Sequence, residues 1–301
     1  MSAASERAAR LALEPLRDSV PVQGLVRDAL ESLRRVWEYR ELLGLLVRRE
    51  IKAKYKNSIL GVIWSLIRPL VQLGIFYVIM GMLMNMRAVI PHFAIYAFAG
   101  ITVWSLVQEI INSGTNSILA NSGIVKKTQL PRELFPLAST GSALFNFFFM
   151  LVILIVAVLA TSGLLPSINF LHFPLALAVI LVWGLALAFL LSSLNVYFRD
   201  IQYLTEVILM IGFYASPIIY PWTLVQNRLP HVVVELYLAN PMTLAVMGTQ
   251  RVLWNPGPDV VYPYPSFLAY RLLAALVVGL IVLVLCHRVF SRLQRDFAQE
   301  M

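Results

Sequence analysis

The chain has 301 residues, of which 59% are hydrophobic and only 13% charged, about half the charged share of an ordinary soluble domain. So little polar surface excludes a water-soluble globule of this length, and the single cysteine, Cys286, excludes an intramolecular disulfide and reads as a packing residue. The net charge of +8 falls beside apolar blocks, where it reads as topogenic bias and attraction to anionic lipid, so no nucleic-acid partner is inferred.

In residues 1–30, Arg7, Arg10, Glu14, Arg17 and Asp18 interrupt any apolar signal core, so a cytoplasmic extension is expected there and the first span must serve as the insertion signal. Residues 31–60 are predicted to form an amphipathic helix in the headgroup layer. Leu43, Val47, Ile51 and Tyr55 fall on one i+4 row, and Arg48, Arg49, Lys52 and Lys56 on the neighbouring arc, with Leu45 and Lys54 out of pattern. A solvated topogenic stretch is the plainer alternative. Apolar blocks of about 20 residues, the length that crosses an ~30 Å hydrocarbon layer, place spans near 61–84, 93–119, 137–162, 172–194, 201–220 and 267–290. Runs such as 145–160 and 272–286 do not alternate, which excludes a barrel. Between the last two spans, the apolar pieces within 222–254 are too short to cross and suit re-entrant or interfacial helices. The expected fold is an all-α integral membrane protein with six transmembrane helices and a tail over 291–301.

Leaving aside Arg68 and Arg271 at helix ends, nineteen Lys and Arg residues fall on the side of the two termini and three, Arg87, Arg228 and Arg251, on the other. Basic loops stay inside, so both termini are expected in the cytoplasm. Arg68, just before Pro69, stands where an arginine meets either a lipid phosphate or an anionic ligand. The loop between the second and third spans carries Ile124, Lys126, Lys127, Arg132 and Phe135 between prolines 131 and 136. Apolar residues beside charges suit either a docking surface or a plain connector. Tyr77, Trp104, Phe145, Phe148, Phe149 and Tyr214 face lipid or line a path for sugar rings, whose C–H faces pack on aromatic rings. Glu109 is the one deeply placed acid, which argues against an ion-coupled carrier. The sequence has no phosphate-binding glycine loop, no paired-histidine zinc motif and no Cys/His cluster. A metal site is therefore not expected, and if ATP powers the protein, another chain must bind it. No catalytic centre, such as a glycosyltransferase carboxylate cluster, is apparent.

Five short stretches share an order with a known family. They are Lys54-Tyr55-Lys56-Asn57-Ser58-Ile59-Leu60-Gly61-Val62-Ile63-Trp64 followed by Arg68-Pro69-Leu70, the loop Leu130 to Pro136, Asn195 to Ile201, Ser216 to Pro221, and Asn240-Pro241. Together they resemble the ABC-2 type permeases that export polysaccharides and polyol phosphates. That resemblance implies a homodimer joined to two ATP-binding cassette subunits, with ATP and Mg on the partner and no cofactor in this chain. It further implies a polyprenyl-diphosphate-linked glycan as cargo, carried across a bacterial inner membrane. A teichoic-acid-like polyol phosphate or a small lipid or drug is the alternative. By likeness, residues 31–56 are the interface helix, the 2–3 loop is the coupling contact, and 222–254 are gate helices with Pro217, Tyr220, Pro221, Asn240 and Pro241 at the outer mouth. Arg48, Arg49, Lys52 and Lys56, with Arg68, are the expected seat of the carrier diphosphate.

Overall fold

Backbone polar groups in hydrocarbon have no water to bond, so long apolar segments fold as helices that satisfy those groups internally. A computed structural model describes residues 32, 34–55, 63–128, 130–161, 168–257 and 262–300. Among the described residues every regular element is helical. In chain order they are α1 (Arg40–Tyr55), α2 (Ile63–Phe76) running into a π-helical turn (Tyr77–Leu83), α3 (Phe93–Ala120), α4 (Ser122–Val125) and α5 (Leu134–Thr161). There follow α6 (His172–Tyr197), α7 (Ile201–Tyr214), α8 (Trp222–Arg228), α9 (His231–Ala239), α10 (Pro241–Leu253), α11 (Leu268–Leu293) and α12 (Phe297–Glu300). The expected extension over 1–30, and Lys56 with the signature residues through Val62, lie outside the described residues.

Four helices, α3, α5, α6 and α11, are long and apolar enough to cross a membrane, and the pair α9 and α10, bent by 81°, makes a fifth if it is one broken span. The four match the second, third, fourth and sixth expected spans closely. The first runs from Ile63 to Leu83 as an α-helix continued by the π-helical turn, and among the described residues only the fifth falls short of the expected length. α7 ends at Tyr214 after 14 residues, about 21 Å of helix, because Pro217 and Pro221 turn the residues before them away from the helical region. Residues 216–219 instead lie in a buried turn, with Ser216 and Ile218 fully enclosed. In the first span the helix widens to π geometry from Tyr77 onward. Among the described residues the expected spans thus take the form of four long helices, a first helix that passes into a π-helical turn and a short fifth helix, followed by the bent pair.

Helix α3 is the axis of the bundle. Of its most apolar stretch 78% is buried within the chain, against 17% for α11, so α3 is a core helix and α11 keeps most of its surface for lipid or another chain. It packs on α5 and α6, while α6 in turn packs on α10 and α11. At the end of the bundle that carries α1, Leu46 packs with Leu134 and Ala138, laying α1 across the start of α5. The row Val47, Ile51 and Tyr55 is half-buried, whereas Leu45, the residue out of pattern, is exposed.

At the opposite end, side-chain donors fasten the turn after α7. Tyr96 donates to the carbonyls of Pro217 and Tyr220, each at 3.0 Å, and Gln250 Nε2 donates to Pro217 O at 2.9 Å. Burial pushes the nearby Tyr262 phenol up to about 12, so that hydroxyl stays uncharged at any ordinary pH. Asn240 caps α10 by accepting from Met242 N at 3.0 Å, with Pro241 in the first turn, which is what sets the sharp bend after α9.

Helix α9 is held to α11 by a two-pronged ion pair. Arg271 Nη1 and Nη2 donate to the Glu235 oxygens at 2.9 and 3.2 Å, the fork geometry that matches a carboxylate. Arg271→Leu is expected to speed backbone amide exchange across residues 231–239 several-fold while α6 stays protected, because α9 has few other buried contacts. Hydrogen-exchange mass spectrometry of the detergent-solubilised chain measures this.

Candidate functional site

The last turn of α1 points Lys54 and Tyr55 inward, and α2 brings Arg68 beside the buried Pro69. Between α1, α2, α3, α5 and α7 these residues border a cavity of about 1050 Å³. Its polar wall includes Lys54, Arg68, Gln72, Thr102, Glu109 and Asn146, and its aromatic wall Trp64, Trp104, Phe147, Phe213 and Tyr214. Helix α2 can approach in this way although Pro69 lies inside it; the missing N–H leaves a carbonyl four residues back without its helical donor.

A short polar chain crosses the cavity wall. Lys54 Nζ pairs with Glu109 Oε1, and Asn146 Nδ2 donates to the same oxygen at 2.6 Å. The Tyr55 hydroxyl donates to Asn146 Oδ1. Three helices, α1, α3 and α5, are joined through this one carboxylate. Arg68, by contrast, is exposed to the cavity and makes no ion pair among the described residues. The Thr102 hydroxyl, buried in the same wall, has no hydrogen-bond partner among the described residues. Among the described residues, that wall offers one free cation, one neutralised cation, several uncharged hydrogen-bonding groups and aromatic faces. That combination suits a hydroxylated, anionic amphiphile.

On α1 itself, burial pushes the Glu50 carboxyl up to about 7, against the pull of Arg49 beside it. Near neutral pH this acid is only partly ionised, so the positive field of Arg48, Arg49 and Lys52 is less cancelled than the composition of α1 suggests.

The expected site residues divide. Of the described members of the headgroup set, Arg68 lines the cavity; Arg48 and Lys52 are exposed on α1, and Arg49 Nη2 is engaged by Asn121 Oδ1. Lys54, which spoiled the amphipathic pattern, is the α1 cation that reaches the cavity, and nothing in its spacing marked it. Of the expected aromatic lining, Trp104 and Tyr214 are present. Phe145, Phe148 and Phe149 instead stack edge-to-face on one another, with Phe148 exposed at 60%, and it is Phe147 that faces inward. Tyr77 is half-buried in the π-helical turn and packs on the core cluster. In the 2–3 loop, Lys126 and Lys127 are exposed and Ile124 is half-buried. Phe135 is 1% exposed, which corrects its expected place on a docking surface: it is part of the core with Val125 and Phe290. Pro217 and Pro221 are buried and Tyr220 half-buried, with the Tyr220 hydroxyl donating to Tyr214 O at 3.0 Å.

Two comparisons bear on this geometry. Residues 41–254 match the family model described as ABC-2 type transporter, a range that contains α1 from its second residue on, the cavity and α10. The chain is 28% identical over 274 residues to an O-antigen export system permease protein RfbA of Myxococcus xanthus, covering 90% of this chain and 100% of that protein. It is 27% identical over 263 residues to a Klebsiella pneumoniae protein of the same description, covering 86% of this chain and 94% of the relative.

Proposed function

Since this chain belongs to the ABC-2 type transporter family, we propose that it is the permease half-channel of an exporter that carries a lipid-linked O-antigen-type polysaccharide out across the bacterial inner membrane. The cavity at the basic end supports this reading most directly: a membrane-embedded chain with hydroxyl, amide and aromatic groups beside Lys54 and Arg68 is furnished for a sugar on an anionic carrier. A polymer of hydroxylated rings cannot enter hydrocarbon without replacement hydrogen bonds, so it needs a continuous protein-lined path. One chain lines one side of such a path, and a second copy closes it.

In this reading both termini are cytoplasmic, following the excess of basic residues on that side. Arg48, Arg49 and Lys52, with Lys56, draw the carrier diphosphate to the membrane surface, and Arg68 and Lys54 seat it. Trp104 and Tyr214 receive the first sugars. The exposed Lys126 and Lys127, with Ile124 and Arg132, meet one of two ATP-binding cassette subunits that bind ATP and Mg and drive the cycle. The turn from Pro217 to Pro221 and the bend at Asn240 and Pro241 form the outer gate.

The test is export of polysaccharide to the cell surface. Replacing Lys54 and Arg68 together by Met is expected to cut export about tenfold or more, the effect of removing two charge-assisted contacts of about 1 kcal/mol each. Arg48 and Lys52, which steer rather than hold, are expected to cost less. Normal export from a double Met variant that still co-purifies with its ATPase would overturn the headgroup assignment.

A further inference from the structure

The inner leaflet confronts this cavity with a discrimination problem. Monoanionic phospholipids vastly outnumber any polyprenyl diphosphate, and two bare cations at an open cavity would hold phospholipid most of the time. Among the described residues the cavity does not present two bare cations. Lys54 is already neutralised by Glu109, whose carboxylate is aimed by Asn146 at 2.6 Å, and Asn146 is in turn held by the Tyr55 hydroxyl. Arg68 alone makes no ion pair among the described residues. The Lys54 and Glu109 side chains are 40% and 22% exposed, so the pair borders the cavity and is open to exchange with a ligand.

We propose that Glu109 is a specificity-determining residue which, by neutralising Lys54, makes the cavity select a headgroup with more than one negative charge over the monoanionic phospholipids around it. The inference rests on the headgroup reading above and adds to it the reason for an acid in an anion site. A monoanion satisfies Arg68 and then has nothing left with which to displace Glu109: exchanging one carboxylate for one phosphate at Lys54 gains little. A diphosphate carries enough charge to bond Arg68 and still compete for Lys54, so only it collects both contacts. Specificity of this kind comes from a built-in cost to the wrong ligand rather than from extra contacts to the right one. Glu109→Gln removes the charge but keeps a carbonyl oxygen for Asn146, so the joint between α3 and α5 is retained.

The experiment uses the full chain in nanodiscs and measures binding of farnesyl diphosphate and of farnesyl methyl phosphate, a monophosphate diester that carries one charge as the phospholipids do, by quenching of tryptophan fluorescence, Trp64 and Trp104 being in the cavity wall. In phosphatidylcholine discs, Glu109→Gln is expected to bind the monophosphate about fivefold more tightly, the scale of one partly exposed ion pair, and the diphosphate with a smaller gain, so that the diphosphate loses most of its lead. In discs of equal parts phosphatidylcholine and phosphatidylglycerol, the natural chain is expected to keep its diphosphate affinity, while Glu109→Gln loses about tenfold to the competing lipid. Inorganic pyrophosphate should displace the diphosphate probe, which assigns recognition to the anion and not to the isoprenoid. If Glu109→Gln does not fold, Lys54→Gln tests the pair from its other side: the diphosphate loses its second contact while the uncovered Glu109 repels both probes, so diphosphate binding falls more than monophosphate binding and its lead is lost. Identical lipid sensitivity and identical probe preference in the natural chain and Glu109→Gln would overturn the proposal while leaving the headgroup site standing. No diphosphate binding by the natural chain in either disc would bring down the headgroup reading itself.

Discussion

Gly114→Leu is expected to leave no folded chain in the membrane, and Gly114→Ala to destabilise it measurably. Gly114 lies on α3 where α6 comes closest. A Cβ added there would sit 2.5 Å from Ala188 Cβ and 3.2 Å from Ala188 Cα, inside van der Waals contact with a backbone atom that cannot swing aside. Helix propensity alone would favour alanine over glycine by about 1 kcal/mol. The clash acts the other way by about 1–3 kcal/mol for each overpacked methyl, so destabilisation wins for alanine and grows with the larger leucine. In lipid, where apolar side chains gain nothing by leaving one another's company for solvent, close backbone approach through small residues is the main source of helix–helix affinity. The double variant Gly114→Ala with Ala188→Gly should recover much of the loss, because it moves the methyl from one helix to the other; the 3.2 Å approach to the α6 backbone keeps the recovery short of complete. Thermal unfolding of the solubilised chain, or its steady-state amount in membranes, measures both. Unchanged stability of Gly114→Ala would mean that α3 and α6 are further apart than described.

Helices such as α6 and α11 were legible because their apolar runs are long, and their ends lie close to where hydropathy placed them. Which face of each helix looks inward was not legible. Phe145, Phe147, Phe148 and Phe149 sit within five consecutive positions of a helix that is apolar all round, so composition gives no phase; only the packing of α5 on α3 selects Phe147. The same limit hid the burial of Phe135, whose neighbours Arg132 and Lys127 suggested a wet loop. Its burial comes from α11, over 150 residues further along. The length of α7 was readable in principle, since Pro217 and Pro221 stand in the expected span, yet the apolar residues around them outweighed that signal.

The cavity was half-legible for a related reason. Arg68 and Trp104 carry type and depth in the sequence alone. Lys54 does not, because its role depends on Glu109, 55 positions later, being turned toward the same space by the crossing of α1 over α5. An amphipathic pattern reports the average surroundings of a helix face, and a residue that breaks the pattern to make one specific contact registers as noise. Glu109, singled out as the one deep acid, registers correctly as exceptional, but its partner could not be named until α1 was placed.

Glu133→Ala is expected to destabilise the basic end of the bundle by about 2–3 kcal/mol, the cost of breaking a buried polar junction. Glu133, just ahead of α5, is 4% exposed. Its Oε1 accepts from Gln294 Nε2 at 3.5 Å and lies 3.8 Å from His287 Nε2, a contact that is electrostatic at that distance. His287 also meets the Ser32 hydroxyl at 3.0 Å, and the neighbouring Arg132 guanidinium stands 5.6 Å over the Phe297 ring. Four parts of the chain, the residues before α1, the 2–3 loop, α11 and the tail, are thus tied at one carboxylate. Burial by itself would push this carboxyl up, but His287, its own backbone N–H and the charge of Arg35 outweigh that and hold it below the usual value of 4.5. A carboxyl with a lowered folded-state pKa adds stability that is complete above its unfolded value and is lost as pH falls through the folded one. The natural chain should therefore lose stability on acidification below 4.5, and Glu133→Gln, which keeps an acceptor for Gln294 but has no charge to lose, should be less stable at neutral pH and flatter in acid. A junction that joins the proposed ATPase-facing loop to α11 also predicts a functional signature: in the assembled transporter, Glu133→Ala lowers export more than ATP hydrolysis, because the loop moves without carrying the bundle with it. Equal losses in both would place Glu133 in the stability of the fold and not in the transmission of force.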